Sequence, residues 1–252
     1  MIKWLGRLLA ASVGVMVAAG AWAQTPFNWT GFYAGVNAGA GFMQGSAWNY
    51  CISPVGGLQG LGCPIQQNFR ADQAGFLGGA QAGYNRQFDW LVVGLEVDFQ
   101  GSTMGVSQYA TNQGFTPGVG NQPLNMTIFQ RIDWLATMRA RVGLVGDERW
   151  LFFATGGLAV AQARLDSRQT FIPPGIVTFQ GTTQNTMVGY TFGAGVEYAL
   201  FDNFTIKGEV LYFDLGKLKT AAGATPPVNT FVVGAEAWFG GVITRIGGNY
   251  RF

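Results

Sequence analysis

Eight charged side chains stand out by type and spacing: Glu96 and Asp98, Arg139 and Arg141, Glu197, Lys207 and Glu209, and Arg245. Several sit two residues apart, the spacing that puts side chains on one face of an extended strand. Two carboxylates so placed, such as Glu96 and Asp98, are the raw material of general acid–base chemistry. They serve equally as one half of an ion-pair network, with the arginines and Lys207 as the other half. The groups that would convert such a pair into a catalytic site are missing. The chain has no histidine, and it carries neither a nucleophile-elbow nor a P-loop pattern. No catalytic, cofactor-binding or metal-ligating residue is therefore expected, no cofactor is implied, and the protein is not expected to be an enzyme. Cys51 and Cys63 are the two cysteines. They lack C-x-x-C spacing, and an even count beyond a secretory signal favours a structural disulfide over a redox or metal pair.

The elements that would carry these residues are strands. From Tyr190 to Tyr198 and from Phe204 to Tyr212 the chain alternates with period two about a turn at Asp202-Asn203. Tyr190, Phe192, Ala194, Val196 and Tyr198 share an apolar face, as do Ile206, Val210 and Tyr212. Glu197, Lys207 and Glu209 fall on the other, and a turn at Asp202 places Glu197 opposite Lys207 and Gly195 opposite Glu209. Similar alternation recurs near residues 32–42, 75–86, 91–100, 131–143, 150–162 and 242–252. In the last of these Arg245, Asn249 and Arg251 oppose Ile246, Tyr250 and Phe252. In the fourth, Ile132, Trp134, Ala136 and Met138 are expected outside and Asp133, Arg139 and Arg141 inside. In the fifth, Phe152, Ala154, Leu158 and Val160 are expected outside and Thr155 inside.

The wording of the hairpin, Gly193-Ala194-Gly195-Val196-Glu197-Tyr198, resembles the alphaproteobacterial outer-membrane surface-protein family, whose members are labelled porin-like or opacity-like. The opening Trp29-Thr30-Gly31-Phe32-Tyr33-Ala34-Gly35 and the terminal Tyr250-Arg251-Phe252 are similar to the same family. The resemblance implies an eight-stranded antiparallel transmembrane β-barrel in the outer membrane. It also implies that Tyr250 and Phe252 form a C-terminal signal for the outer-membrane assembly machinery. The family usually has a bulky apolar residue where Gly248 stands, and often one at Gly208.

Composition agrees with a barrel. Charged residues make up 11% of the chain and aromatics 14%, whereas an ordinary soluble domain carries about 25% charge. No stretch after the first 23 residues approaches a spanning helix, and a sheet crosses hydrocarbon only if it closes and satisfies its own backbone. Residues 1–23 read as a signal peptide: Lys3 and Arg7, an apolar run, then Ala21-Trp22-Ala23. Its removal takes two of the 15 basic and none of the 13 acidic residues, so residues 24–252, the barrel domain, are neutral overall. No basic surplus remains for nucleic acid.

Turns near residues 87–90, 146–149 and 200–203 alternate with expected loops at 43–73, 101–129, 164–186 and 217–237. Short turns at one end and long loops at the other are the pattern of bacterial outer-membrane barrels. The role expected is structural, in envelope integrity and surface interaction, with charged side chains filling the lumen; the alternative is a narrow porin-like channel. Expected partners are outer-membrane lipid, the assembly machinery and an extracellular or host surface ligand.

Overall fold

The computed structural model describes residues 27–52, 68–116, 120–146, 149–171, 178–225 and 232–252. Residues 1–23 and the cysteine side chains lie outside the described residues, so the signal peptide and the Cys51–Cys63 bond stay expectations. Nine strand segments follow one another: β1 (Gly31–Ile52), β2 (Asn68–Phe88), β3 (Leu91–Ser102), β4 (Gly105–Thr116), β5 (Gly120–Gly146), β6 (Trp150–Phe171), β7 (Thr178–Phe201), β8 (Phe204–Thr225) and β9 (Val232–Arg251). Every pairing is antiparallel. β1 pairs with both β2 and β9, and β3 and β4 both pair with β5, so the sheet closes on itself. β3 and β4 are two halves of one strand, broken at Thr103-Met104, and the wall is eight-stranded. At the break the Thr103 amide donates to the Phe76 carbonyl (2.9 Å), and the Met104 carbonyl accepts from the Ile132 amide (3.0 Å).

The outer surface follows the alternation. Phe32, Val36, Phe76, Leu95, Val97, Met138, Phe152, Leu158, Phe192, Val210 and Ile246 are all exposed on it. In an aqueous protein that much apolar surface would be costly; in a bilayer it is the face that dissolves. Thr155 points inward, and β6 turns Phe152, Ala154 and Leu158 outward.

The stretches expected as loops are largely strand. β4 and β5 pair as far as Thr116↔Gly120, β6 and β7 pair out to Thr170↔Thr178, and β8 runs to Thr225. These segments are rich in Gly, Thr, Asn and Gln, so no apolar period marks them. A strand already templated by its neighbour nevertheless continues, because ladder hydrogen bonds are indifferent to side-chain polarity. Tall hairpins therefore rise past the apolar band at one end, while turns such as Asp89-Trp90 close the other. Asp89 takes a positive φ of 51° there, which Asp tolerates better than bulkier residues.

Two bulges change which residues face inward. On β5 the register shifts between Ile132 and Trp134. Ile132 is consequently buried inside, while Asp133 turns out to pair with Arg131 (2.7 Å). The expectation that Ile132 lies outside and Asp133 inside is thus reversed, because one extra residue inverts strict alternation. On β8 the shift falls between Asp214 and Lys217, where Gly216 adopts φ +80°. Leu218 points in beyond it, and Lys217 and Lys219 are exposed.

Candidate functional site

The lumen is stratified. At the turn end, Phe27 and Trp29 from the segment before β1 pack with Val92, Leu151 and Ala199. Gln87 holds this segment in place: its side-chain oxygen accepts from the Trp29 amide (2.8 Å), and its own amide donates to the Thr30 hydroxyl (3.0 Å). The Arg251 guanidinium lies 4.4 Å above the Phe27 ring and donates to the Thr30 carbonyl (2.8 Å).

The charged layer comes next. It joins all eight of the charged residues picked out by spacing, drawn from β3, β5, β7, β8 and β9. Glu96 accepts from both sides: Lys207 Nζ lies 2.7 Å from each of its oxygens, Arg139 bonds one oxygen, and the Tyr33 hydroxyl donates to the other at 2.7 Å. Arg139 also donates to Asp98 and Glu209, both at 2.8 Å. Arg245 bridges the same two carboxylates at 2.9 and 2.8 Å. Lys207 completes the ring to Glu209 at 3.0 Å. Glu197 takes Arg141 (2.7 Å), the Thr205 hydroxyl (2.6 Å) and the Asn249 amide (2.9 Å). Four carboxylates thus meet four cations, and the side chains of Arg139 and Arg245 are 0% exposed. Burying charge on this scale is tolerable only because each ion is paired and hydrogen-bonded.

Glu197 and Lys207 are ladder partners, as are Gly195 and Glu209, but their ions pair across the lumen instead. Lys207 reaches Glu96 on β3, and Glu197 reaches Arg141 on β5. Glycines make the room: a Cβ at Gly195 would lie 2.6 Å from the Phe153 ring, and one at Gly83 would lie 2.4 Å from the Tyr33 hydroxyl. Neutral polar residues extend the layer, with Asn37 donating to Gln81 (3.0 Å), Gln81 to Asn249 (2.6 Å), and Thr137 to Asp98 (2.7 Å). Alternation alone puts Tyr33, Asn37, Gln81 and Asn249 on the inner faces, and that was the available signal for them.

Above the charged layer the interior is mainly apolar, though Gln108, Gln130, Ser167, Gln169 and Thr220 are buried in it as well. Met43, Leu77, Met104, Ile128, Phe179, Phe213 and Phe239 are buried there in one cluster. The polar interior suggested by the inventory of charges therefore describes the charged layer, whereas the upper half is mixed, with an apolar cluster beside uncharged polar side chains. Once the bulges shift the register and the strands lengthen, inward positions fall on residues that read as loop. Among the described residues, no group of three or more His, Cys, Asp or Glu could hold a metal ion.

At the opposite end of the sequence, Tyr250 and Phe252 face outward, 53% and 78% exposed, with ring centroids 5.4 Å apart. The Phe252 amide donates to the Phe32 carbonyl (3.1 Å), fastening the terminus to β1.

Residues 8–239 match the family described as outer membrane protein beta-barrel domain. The chain belongs to this family. It is also 33% identical over 227 residues to the 31 kDa outer-membrane immunogenic protein of Brucella melitensis biotype 1, covering 90% of this chain and 85% of that protein. The protein of the same name from Brucella suis biovar 1 matches with the same identity and coverage. Among solved structures, the outer membrane protein OprG from Pseudomonas aeruginosa aligns over 91% of this chain and 99% of its own, at 12% identity and a TM-score of 0.46. As an outer-membrane β-barrel, the protein resides in the outer membrane, its apolar wall in the bilayer. In this family's usual orientation the short turns lie on the periplasmic side and the tall hairpins outside.

Proposed function

We propose that this barrel is a closed, non-catalytic element of the outer membrane that stiffens the envelope and carries its outer hairpins as a surface for contact. The observation that carries this reading is the lumen itself: an apolar plug, a neutral and fully paired layer of eight charges, and a mainly apolar upper layer lie in series. Eight strands enclose an interior just wide enough for side chains to fill, and these side chains fill it. The printed name of the Brucella relatives, an outer-membrane immunogenic protein, supports surface presentation of the outer hairpins. The exposed Tyr250-Phe252 pair supports a handle for the assembly machinery, and outer-membrane lipid is the partner of the apolar wall. An extracellular or host ligand would bind the hairpins.

Planar-bilayer recording tests the closed lumen. Wild-type protein should show little steady conductance, and the Lys207→Ala, Arg245→Ala double variant should show more. A large, stable wild-type conductance would move the assignment to a narrow porin-like channel.

A further inference from the structure

The outer wall carries a second charged site, separate from the lumen. On β5 and β6 three arginines stand just beyond the apolar band. Arg131 and Arg164 are direct ladder partners, and Arg168 sits four residues farther along β6, opposite Thr127. Like charges directly opposed across a ladder repel. Here each of the two is held by a carboxylate two residues on. Arg131 pairs with Asp133 at 2.7 Å, and Arg164 donates through two nitrogens to Asp166 at 2.8 and 3.1 Å. Asp166 is held in turn by the Thr182 hydroxyl at 2.6 Å.

The patch is nevertheless underneutralised. A guanidinium has five N–H donors, so Arg164 keeps three after serving Asp166, and Arg168 has no ion-pair partner among the described residues. The side chains of Arg131 and Arg164 remain 43% and 38% exposed. Arg164 and Arg168 line a cleft of about 280 Å³ together with Phe129, Gln180, Thr182 and the Asp166 that Arg164 holds, and Arg131 stands beside it as the ladder partner of Arg164. The basic pair two strands along the sheet, on β8, differs in chemistry: Lys217 and Lys219 share the single carboxylate of Glu236, each at 3.0 Å, and neither ammonium offers the planar two-pronged donor set of a guanidinium.

Height decides what such a cleft meets. On β6 the outward residues run Leu158, Val160, Gln162, Arg164. Gln162 accepts from the Trp134 indole (2.9 Å), and that ring stacks on Phe99 at 5.7 Å. An aromatic pair with a polar handle marks the edge of the bilayer. The arginines therefore begin within a few residues of the outer-leaflet surface, at the depth of its head groups. Arginine binds phosphate bidentately, and a lipid anchored in the leaflet presents its phosphate at that height without the entropy cost of capture from solution.

We propose that Arg131, Arg164 and Arg168 form a docking site for the phosphorylated head group of an outer-leaflet glycolipid. The site is held open by Asp133 and Asp166, with Phe129 and the wall below it against the sugar and acyl parts. It is independent of whether the lumen conducts.

The test uses the full-length mature protein folded into phosphatidylcholine vesicles doped with bisphosphorylated lipid A, with co-purifying lipid counted by native mass spectrometry. Retention of lipid A should fall about tenfold or more in an Arg131→Ala, Arg164→Ala, Arg168→Ala variant, because each basic contact at an anionic surface contributes several-fold. Retention should be unchanged in a Lys217→Ala, Lys219→Ala control. Heat-modifiable gel mobility reports folding; if the triple variant does not fold, Arg168→Gln, which breaks no ion pair, should lower retention alone. Three results would overturn the site: unchanged retention in folded variants, equal retention of dephosphorylated lipid A, or equal displacement by phosphatidylglycerol.

Discussion

At the scale of single residues, the lumen is an exercise in mutual neutralisation, and its weak points are the ions with the most partners. Arg139 contacts Glu96, Asp98 and Glu209 with no exposed side-chain surface. Arg139→Ala would leave those carboxylates short of a counter-ion in a site water reaches poorly. We expect it to cost about 3–5 kcal/mol in reversible unfolding from vesicles. Arg70, exposed on the outer part of β2, should by contrast be replaceable by alanine within about 0.5 kcal/mol. Equal effects at the two sites would contradict the claim that the network is desolvated. Gly208 offers the opposite case. Its outward face is open, with nothing within 4 Å of a would-be Cβ. Gly208→Ala should stabilise the barrel by about 0.5–1 kcal/mol, since the glycine adds backbone freedom to the unfolded chain and no side chain to the wall. A lower unfolding midpoint for this variant would show that the site is crowded.

At the scale of elements, the strands are defined by facing, and facing is vulnerable. Val196 on β7 and Val210 on β8 face outward in the apolar band. Val196→Arg should be destabilising, by up to the roughly 2–4 kcal/mol that a midplane arginine costs, while Thr111→Arg, on the exposed outer hairpin of β4, should cost little. Unfolding in bilayers separates them, and equal costs would reject the facing assigned to β7. The β8 bulge is a second test. Gly216 at φ +80° lets the strand turn Lys217 and Lys219 outward and Leu218 inward, and the Asp214 carboxylate secures it by accepting from the Gly216 amide (2.8 Å) and the Trp238 indole (2.9 Å). Gly216→Ala should destabilise by roughly 1 kcal/mol, because an L side chain resists that backbone conformation. A variant as stable as wild type would mean the bulge is not held in that geometry.

At the scale of the whole molecule, the mature protein should begin at Gln24. Intact mass of protein taken from outer membranes checks this, and a species retaining Lys3 would refute it. Sequence by itself determined the class: low charge, alternation without a spanning helix, short turns at one end only, and eight inward charges, four of each sign. These are legible because side-chain facing in a strand depends on immediate neighbours alone. The Glu197↔Lys207 register was legible for the same reason, since a tight turn sets it locally. Three things were not. Asp133 and Ile132 exchanged faces because a bulge is a property of two strands together. The hairpins run well past their apolar stretches because a polar strand is stabilised by its neighbour's backbone, which has no signature in its own sequence. The identity of each ion's partner, Lys207 with Glu96 and Arg141 with Glu197, was decided only when the sheet closed. Closure brings β8 and β7 to face β3 and β5 across a lumen narrow enough for long side chains to span, and no local pattern encodes that distance.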